Sequence, residues 1–264
     1  MSMNKSEIGT LNRSSSILRL LATAGKRGLA LTDIAARSAL PHGTVHRLLK
    51  QLGDTGLTFQ SEDSRRYLLG PVAYELGLAA AEIFDFRSLC RPALERLCQE
   101  SEATAYFVMR SGFDAVCMDR IEGPFSTRTL VLDIGSRRPL GVGAGGLAIL
   151  AACSDDECER ILDVTAPRLG QFHQLSLQQQ RQAIDETRQQ NYALIRNRLT
   201  LGVTALGMAF RDSMRRPIGA ISIGTIDSRL KEPRRQNIVQ LLRQQVLLIE
   251  KSMRASRRVL IEHF

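Results

Sequence analysis

The segment from Leu29 to Leu52, LALTDIAARSALPHGTVHRLLKQL, constrains the fold of this chain more than any other. Its first half places Leu31, Ile34 and Ala35 at helical spacing, and the hydroxyl of Thr32 suits the cap of that helix. Pro41 cannot continue the first helix, but it suits the first turn of a second one. The segment therefore predicts two short amphipathic helices joined by a tight turn.

The second of these helices combines an apolar stripe with a polar and basic outer face. Its inward positions are Val45, Leu48, Leu49 and Leu52. The outer face and the helix start carry the side chains that we predict to contact DNA: His42, Gly43, Thr44, His46, Arg47 and Lys50. A helix with this pattern is typical of a reader of the DNA major groove.

The residues on either side of this segment favour a winged helix-turn-helix. Upstream, the apolar residues between Ile17 and Leu21 predict a third helix. Downstream, residues 57–60 and 65–69 alternate around a polar turn, which predicts a β-hairpin with Arg65 and Arg66 close to its tip. A small helical packing module is the alternative, but it leaves the basic hairpin unexplained.

Each predicted DNA contact has a chemical reason. The guanidinium of Arg47 suits a bidentate contact to guanine or a clamp on a phosphate, and Thr44 suits a phosphate or a thymine methyl. Gly43 leaves room for close approach to the DNA backbone. Arg65 and Arg66 would reach phosphates or the minor groove from the wing, and Arg13 and Thr32 complete the predicted set. For some of these side chains, plain solvation is the alternative.

The charge balance agrees with this interpretation. The chain has a net charge of +9, and residues 1–70 carry ten Lys and Arg against five Asp and Glu. The positive excess is thus concentrated in the small N-terminal part, as expected for a part that meets phosphates.

The sequence contains no candidate membrane segment and no recognisable signal peptide. Its longest uncharged stretch, residues 139–154, is too short and too rich in glycine to span a bilayer. Five scattered cysteines without a CxxC pair predict reduced structural thiols in a cytoplasmic protein.

The pattern beyond residue 70 predicts a linker helix and a second domain. Residues 71–84 suit a helix leading away from the wing, residues 85–87 interrupt it, and residues 88–100 resume a helix. Strands are predicted at residues 105–109, 115–118, 129–132, 192–195, 203–210 and 218–226, and helices near residues 155–162, 176–190 and 233–257. We therefore expect an α+β fold with a mostly antiparallel sheet, divided into residues 1–70, a linker at 71–86 and an effector domain at 87–264.

A glycine-rich loop, Gly141 to Gly146, opens a predicted helix that runs to about Ala152. A phosphate-binding P-loop would need a Lys-Ser/Thr pair after the last glycine, but Leu147 follows. A dinucleotide fingerprint would need an early βαβ unit and an acidic residue about 20 residues onward. A site for an anionic or carbonyl oxygen at a helix N-terminus fits better, with a purely structural turn as the alternative.

The sequence favours one of three functional classes: an enzyme, a ligand-responsive regulator or an architectural DNA binder. The sequence lacks a nucleophile–base arrangement, a GxSxG motif and a metal-ligand cluster. These absences disfavour an enzyme, and no cofactor is predicted. His42 and His46 share one helix face, but Gly43 stands where a zinc protease has glutamate, so no metal site is predicted. A ligand-responsive DNA-binding regulator is favoured over an architectural DNA binder without a ligand.

Several motifs, in this order and spacing, make the chain similar to the IclR family of bacterial transcriptional regulators. They are residues 11–13, 39–52, 66–71, 135–140 with the glycine-rich helix start, 202–205 and 218–223. The resemblance implies a homodimer or a dimer of dimers that binds double-stranded DNA at a palindromic operator. It also implies a GAF-like effector domain in which a small organic molecule alters DNA binding.

The resemblance also places the effector site. By position, the residues implied to line it are Gly143, Ala144, Gly145, Ile195, Ala205, Ser222 and Gly224. Family members that bind small keto acids commonly have cysteine, serine and an acidic residue where this chain has Ala205, Gly224 and Ile195. A less polar pocket favours an aromatic or short-chain aliphatic acid, and Arg196 or Arg198 is the expected carboxylate partner unless both face solvent.

Overall fold

The computed structural model describes residues 9–124, 132–172 and 175–261. At residues 82–84 and 256–261 it describes the backbone and not the side chains. The contacts within the chain divide it into two compact units. We call Met1–Asp85 the N-terminal unit and Phe86–Phe264 the C-terminal unit.

The N-terminal unit contains three helices, a hairpin and a fourth helix. They are α1 (Thr10–Ala24), α2 (Leu31–Ser38), α3 (His42–Asp54), β1 (Thr58–Gln60), β2 (Tyr67–Leu69) and α4 (Pro71–Phe84). Ile17, Ile34, Val45, Leu48 and Leu49 are almost fully buried in the core that α1, α2 and α3 share. The apolar stripes predicted for these helices therefore meet in one small hydrophobic core.

The turn between α2 and α3 is the tight connection that the sequence predicts. α2 ends at Ser38, Ala39 adopts a left-handed conformation with φ of 53°, and Pro41 is the N-cap of α3. The expected role of Thr32 as a helix cap is wrong. Because α2 begins at Leu31 with Ala30 as its N-cap, Thr32 lies exposed inside the first turn rather than before it.

The hairpin is antiparallel, with Thr58 opposite Leu69 and Gln60 opposite Tyr67. Tyr67 also forms a bridge with Leu29, which joins the hairpin to the segment that precedes α2. A winged helix-turn-helix results, as the sequence predicts.

The C-terminal unit is built on one six-stranded antiparallel sheet in the order β5-β4-β3-β8-β7-β6. Its strands are β3 (Thr104–Ser111), β4 (Asp114–Ile121), β5 (Arg137–Pro139), β6 (Ala193–Arg196), β7 (Val203–Arg211) and β8 (Pro217–Ile226). Its helices are α5 (Phe86–Ser101), α6 (Ala144–Ala151), α7 (Asp155–Leu169), α8 (Leu177–Gln190) and α9 (Arg234–Ile261).

Each face of this sheet has its own hydrophobic core. On one face, Phe107, Phe210 and Ile221 pack with apolar residues of α5 and α9. On the other face, Val108 and Ala220 pack with apolar residues of α6, α7 and α8. The predicted α+β class with a mostly antiparallel sheet is confirmed.

Several elements differ from the sequence-based expectation. α5 begins at Phe86, so that only Asp85 separates it from α4. α7 continues to Leu169, because buried Thr165 and Leu169 extend its apolar face past Pro167. Of the strand expected at residues 129–132, only Leu132 is described and it is not in a strand; residues 129–131 lie outside the described residues.

All five cysteines are buried free thiols. In the described part of the chain, no helix is both long and apolar enough to cross a membrane.

Candidate DNA interface and effector cavity

The outer face of α3 carries exposed polar and basic side chains. Arg47 and Lys50 are exposed, and neither forms an ion pair with the described residues. The helix is held by buried Val45, Leu48 and Leu49 on its opposite side. Of the other predicted contacts on α3, His42, Gly43 and His46 are exposed and Thr44 is half-buried. The predicted contacts on α3 thus lie on the side of the helix that faces away from the hydrophobic core of the N-terminal unit.

Two further predicted contacts lie on the neighbouring helices. Arg13 is half-buried on α1, and Thr32 is exposed in the first turn of α2. Both residues precede α3 in the chain, and they lie on the two helices, α1 and α2, that pack against it.

The two arginines of the wing have different environments. Arg65 is exposed and has a positive φ of 56°. The guanidinium of Arg66 donates a hydrogen bond from Nη1 to the carbonyl oxygen of Gly28, at 3.1 Å. Arg65 is therefore available to a ligand, whereas Arg66 also fixes the base of the wing to the segment before α2.

The C-terminal unit contains a cavity of about 280 Å³ between the N-terminus of α6 and the sheet. Its wall includes all seven residues that the sequence placed in the effector site: Gly143, Ala144, Gly145, Ile195, Ala205, Ser222 and Gly224. The fold thus brings together positions that are up to 81 residues apart in sequence.

The sheet register explains how the strand residues converge. On neighbouring strands, Ile195 lies opposite Ala205, and Ala205 lies opposite Gly224. On the same face, Ser222 of β8 lies opposite Tyr106 of β3. These cross-strand rows form the floor of the cavity.

Glycine lets the N-terminus of α6 lie close against this floor. A Cβ on Gly207 of β7 would be 2.6 Å from the carbonyl carbon and oxygen of Ala144. A Cβ on Gly145 would be 2.7 Å from Cγ2 of Val108. Because the first of these contacts is with backbone, no change of rotamer relieves it.

Five described residues of the cavity wall have polar or charged side chains: Tyr106, Arg138, Gln171, Thr200 and Ser222. Arg138 is the one charged side chain among the described residues of its wall. Ser222 is almost fully buried. Burial raises the pKa of Tyr106 to about 12, although the positive charges of Arg120 and Arg138 lower it. The phenol therefore stays neutral at neutral pH, and the described wall combines apolar residues with four neutral polar side chains and one positive charge.

Two sequence models match this chain. Residues 10–61 match the IclR helix-turn-helix domain, and residues 78–251 match the bacterial transcriptional regulator IclR C-terminal domain. The chain belongs to the IclR family of bacterial transcriptional regulators. Members of this family bind DNA through the helix-turn-helix domain and carry a C-terminal effector domain. This chain is accordingly a transcriptional regulator and not an enzyme.

Curated members of the IclR family are similar over most of their length. The HTH-type transcriptional regulator KipR of Bacillus subtilis (strain 168) is 28% identical, and the alignment covers 92% of this chain and 96% of that protein. The transcriptional repressor IclR of Escherichia coli (strain K12) is 25% identical, with 86% and 84% covered.

Solved IclR structures share the fold. An IclR family transcriptional regulator from Brucella abortus superposes with a TM-score of 0.75 at 22% identity, covering 96% of this chain and 95% of that one. An IclR homolog from Microbacterium hydrocarbonoxydans, complexed with 4-hydroxybenzoate, has a TM-score of 0.71 at 21% identity, covering 94% and 100%.

The sequence-based choice of a carboxylate partner needs correction. Arg196 is about half exposed and lies 3.8 Å from a carboxylate oxygen of Asp227, and neither Arg196 nor Arg198 lines the cavity. Among the described residues of the cavity wall in this IclR-family protein, the arginine is Arg138. Neighbours on a strand point to opposite faces, so the Arg137-Arg138 pair was the available signal.

Proposed function

We propose that this IclR-family regulator binds a palindromic operator through α3 and the wing, and that a small organic acid in the cavity alters its affinity for DNA. The observation that carries the proposal is the cavity, because the described part of its wall combines the seven predicted effector positions with one positive charge. An exposed basic recognition helix in the same chain supplies the DNA-binding side.

On the DNA side, we infer that α3 enters the major groove. Arg47 and Lys50 are exposed and unpaired among the described residues, so they reach base edges or phosphates without first breaking an ion pair. His42, Gly43, Thr44 and His46 complete the contact set on α3. Arg65 and Arg66 approach from the wing, and Arg13 and Thr32 contact the DNA backbone.

We also propose that the protein acts as a homodimer or as a dimer of dimers. A palindromic operator presents two half-sites, and these need two recognition helices related by two-fold symmetry. α4 supports a pairing between two copies, since Tyr74, Leu76 and Leu78 on it are 69%, 59% and 53% exposed. Apolar residues repeated along one exposed helix favour burial against a second copy of that helix.

Sedimentation equilibrium tests this assembly. We expect the wild-type protein to have the mass of a dimer or tetramer, and the double variant Leu76→Glu/Leu78→Glu to dissociate. The control, Glu75→Gln on the same helix, should assemble like the wild type. A monomeric wild type at the concentrations that bind DNA would contradict the proposal.

The cavity supports an aromatic or short-chain aliphatic acid as effector. Its volume of about 280 Å³ is near the lower end of the range for small-molecule sites, which suits a single ring or a short chain. Its described wall includes apolar Val108, Leu132 and Phe172, and Arg138 is the one charged side chain there. The homolog complexed with 4-hydroxybenzoate supports an acid of this size.

A thermal-shift screen of aromatic and aliphatic carboxylic acids, 4-hydroxybenzoate included, tests the effector. A molecule that binds the folded state raises Tm by mass action. We expect at least one acid to raise Tm and also to change the affinity for an operator selected from random duplexes. A DNA-binding protein that no acid stabilises, and that prefers no duplex sequence, would instead be an architectural DNA binder.

A further inference from the structure

The cavity wall holds a cation that has no partner among the described residues. Arg138 lies on β5 opposite Ala115 of β4, and its guanidinium forms neither a hydrogen bond nor an ion pair with the described residues. The adjacent Arg137 differs, because its guanidinium lies 3.4 Å from the carboxylate of Asp114 and also contacts Ser111. Two consecutive arginines thus have separate roles, one of them structural and the other without a structural partner.

The environment of Arg138 favours an incoming anion. Burial lowers the pKa of its guanidinium. The phenol of Tyr106 and the thiol of Cys117 raise that pKa, but they offset the effect of burial only in part. Guanidinium remains protonated in proteins, so its charge stays in the cavity wall. Because a desolvated, unpaired charge costs free energy, an anion that pairs with it recovers that cost.

The N-terminus of α6 adds to the positive potential at the same place. Nη1 of Arg138 lies 4.0 Å from the point that a Cβ on Gly143, the N-cap of α6, would occupy. The N–H groups of residues 144–146 precede the first intrahelical hydrogen bond, from the Leu147 N–H to the Gly143 oxygen at 2.9 Å. An oxygen between the guanidinium and the helix start would therefore meet donors from both.

We propose that Arg138 is the specificity-determining residue of the cavity and binds the carboxylate of a monocarboxylic acid whose apolar part occupies the remaining space. This inference rests on the proposed function, in which the cavity holds an organic acid. One cation in the described wall matches one carboxylate. A dicarboxylate of the same width would bury a second charge without a partner, and a neutral amide would leave Arg138 unpaired.

Isothermal titration calorimetry with three probes of similar shape tests the inference: benzoate, benzamide and terephthalate. We expect the wild-type protein to bind benzoate more tightly than either of the others. In Arg138→Met, benzoate affinity should fall about 30-fold or more, while benzamide affinity should not fall. Tm without ligand should be unchanged or higher, because the variant loses an unpaired charge.

Two further variants keep the test specific. Arg196→Met changes an arginine of β6 that does not line the cavity. This variant should bind benzoate like the wild type. Arg138→Lys keeps the charge but not the bidentate geometry, so it should still prefer benzoate to benzamide, with weaker binding. If Arg138→Met and the wild type bind benzoate equally, or if Arg196→Met alone loses binding, Arg138 is not the carboxylate partner.

The failure of this inference is distinguishable from the failure of the proposed function. A cavity that binds benzamide more tightly than benzoate overturns the role of Arg138, but it leaves a ligand-responsive regulator in place. A wild-type protein that binds no monocarboxylate at millimolar concentration overturns the inference, and the screen of DNA affinity then decides whether any effector acts.

Discussion

The two units of this regulator use arginine in opposite ways. On α3, Arg47 and Lys50 stand in solvent beside several other polar groups. In the cavity, Arg138 is the one charged group among the described wall residues. Many exposed cations suit a long polyanion, because each phosphate contact adds a modest, salt-dependent amount. One recessed cation suits a small molecule with one charge, because desolvation makes its pairing selective.

The largest expected effect concerns the packing of α6 on the sheet. Gly207→Ala places a Cβ 2.6 Å from the Ala144 backbone, so α6 must shift. We expect a loss of about 3 kcal/mol in the unfolding free energy of the C-terminal unit, together with weaker acid binding. Urea denaturation and calorimetry measure the two effects.

The control for this variant is Gly170→Ala, since a Cβ at Gly170 meets nothing within 4 Å. Its stability should stay within about 0.5 kcal/mol of the wild type. If both variants have wild-type stability, the close approach of α6 to β7 is not required.

Arg47→Ala should act on the other unit. We expect its affinity for the selected operator to fall by about 2 kcal/mol, which is about 30-fold in Kd, because a base or phosphate contact is lost. Fluorescence anisotropy at several salt concentrations measures the change.

Acid binding by Arg47→Ala should equal that of the wild type. The matched control is Arg96→Ala, which removes an exposed arginine that pairs with Glu100 on α5. Equal operator affinity of Arg47→Ala and the wild type would remove Arg47 from the interface.

Asp119 provides a pH-dependent test that is confined to the C-terminal unit. Its carboxylate is fully buried and accepts hydrogen bonds from Arg91 at 3.1 Å and from the Arg120 N–H at 2.9 Å. Burial by itself raises the pKa of Asp119, but these bonds and Arg87 together outweigh it, so the pKa lies below its ordinary value of 3.8. The stabilisation is therefore complete above that ordinary value and is lost as the pH falls through the folded pKa.

Asp119→Asn should lose about 1.5 kcal/mol of unfolding free energy at pH 7 and less at low pH. Its stability should consequently vary less with pH below about pH 4 than that of the wild type. Urea denaturation across this range measures both quantities, and Glu100→Gln on the exposed face of α5 is the control. A variant that is as acid-sensitive as the wild type would show that Asp119 does not contribute.

The smallest expected effect is a gain in the N-terminal unit. Ala39 has a φ of 53°, which costs a residue with a Cβ about 1 kcal/mol. Ala39→Gly relieves this strain but loosens the unfolded chain, so we expect a net gain of about 0.5 kcal/mol. Thermal unfolding of the wild type and the variant measures it, and a lower Tm would contradict the strain at the turn.

The two units also differ in how far their sequence predicts them. The face of α3 follows from local periodicity, since Val45 and Leu49 mark the buried side within one helix. Position in the family predicted the strand residues of the cavity, such as Ala205 and Ser222, but not Arg138. The face of the sheet on which the Arg138 side chain lies depends on the register of β5 against β4. That register is a pairing between residues far apart in sequence.

Local rules also failed where tertiary packing was stronger. The β-branched Val164 and Thr165 and the nearby Pro167 weigh against a helix, yet α7 continues to Leu169 because Thr165 and Leu169 are buried. Thr32 has a good capping side chain, but α2 starts two residues earlier than a Thr32 cap requires. Register and burial, rather than propensity, decided these positions.

The most direct test of the account is operator affinity measured with and without a saturating monocarboxylic acid, on the wild type and on Arg138→Met. We expect the acid to change the Kd of the wild type at least about 5-fold, the lower end of typical allosteric coupling. The variant should not respond at the same acid concentration. A wild type whose DNA affinity stays constant while calorimetry shows the acid bound, or a variant that responds like the wild type, would contradict the account.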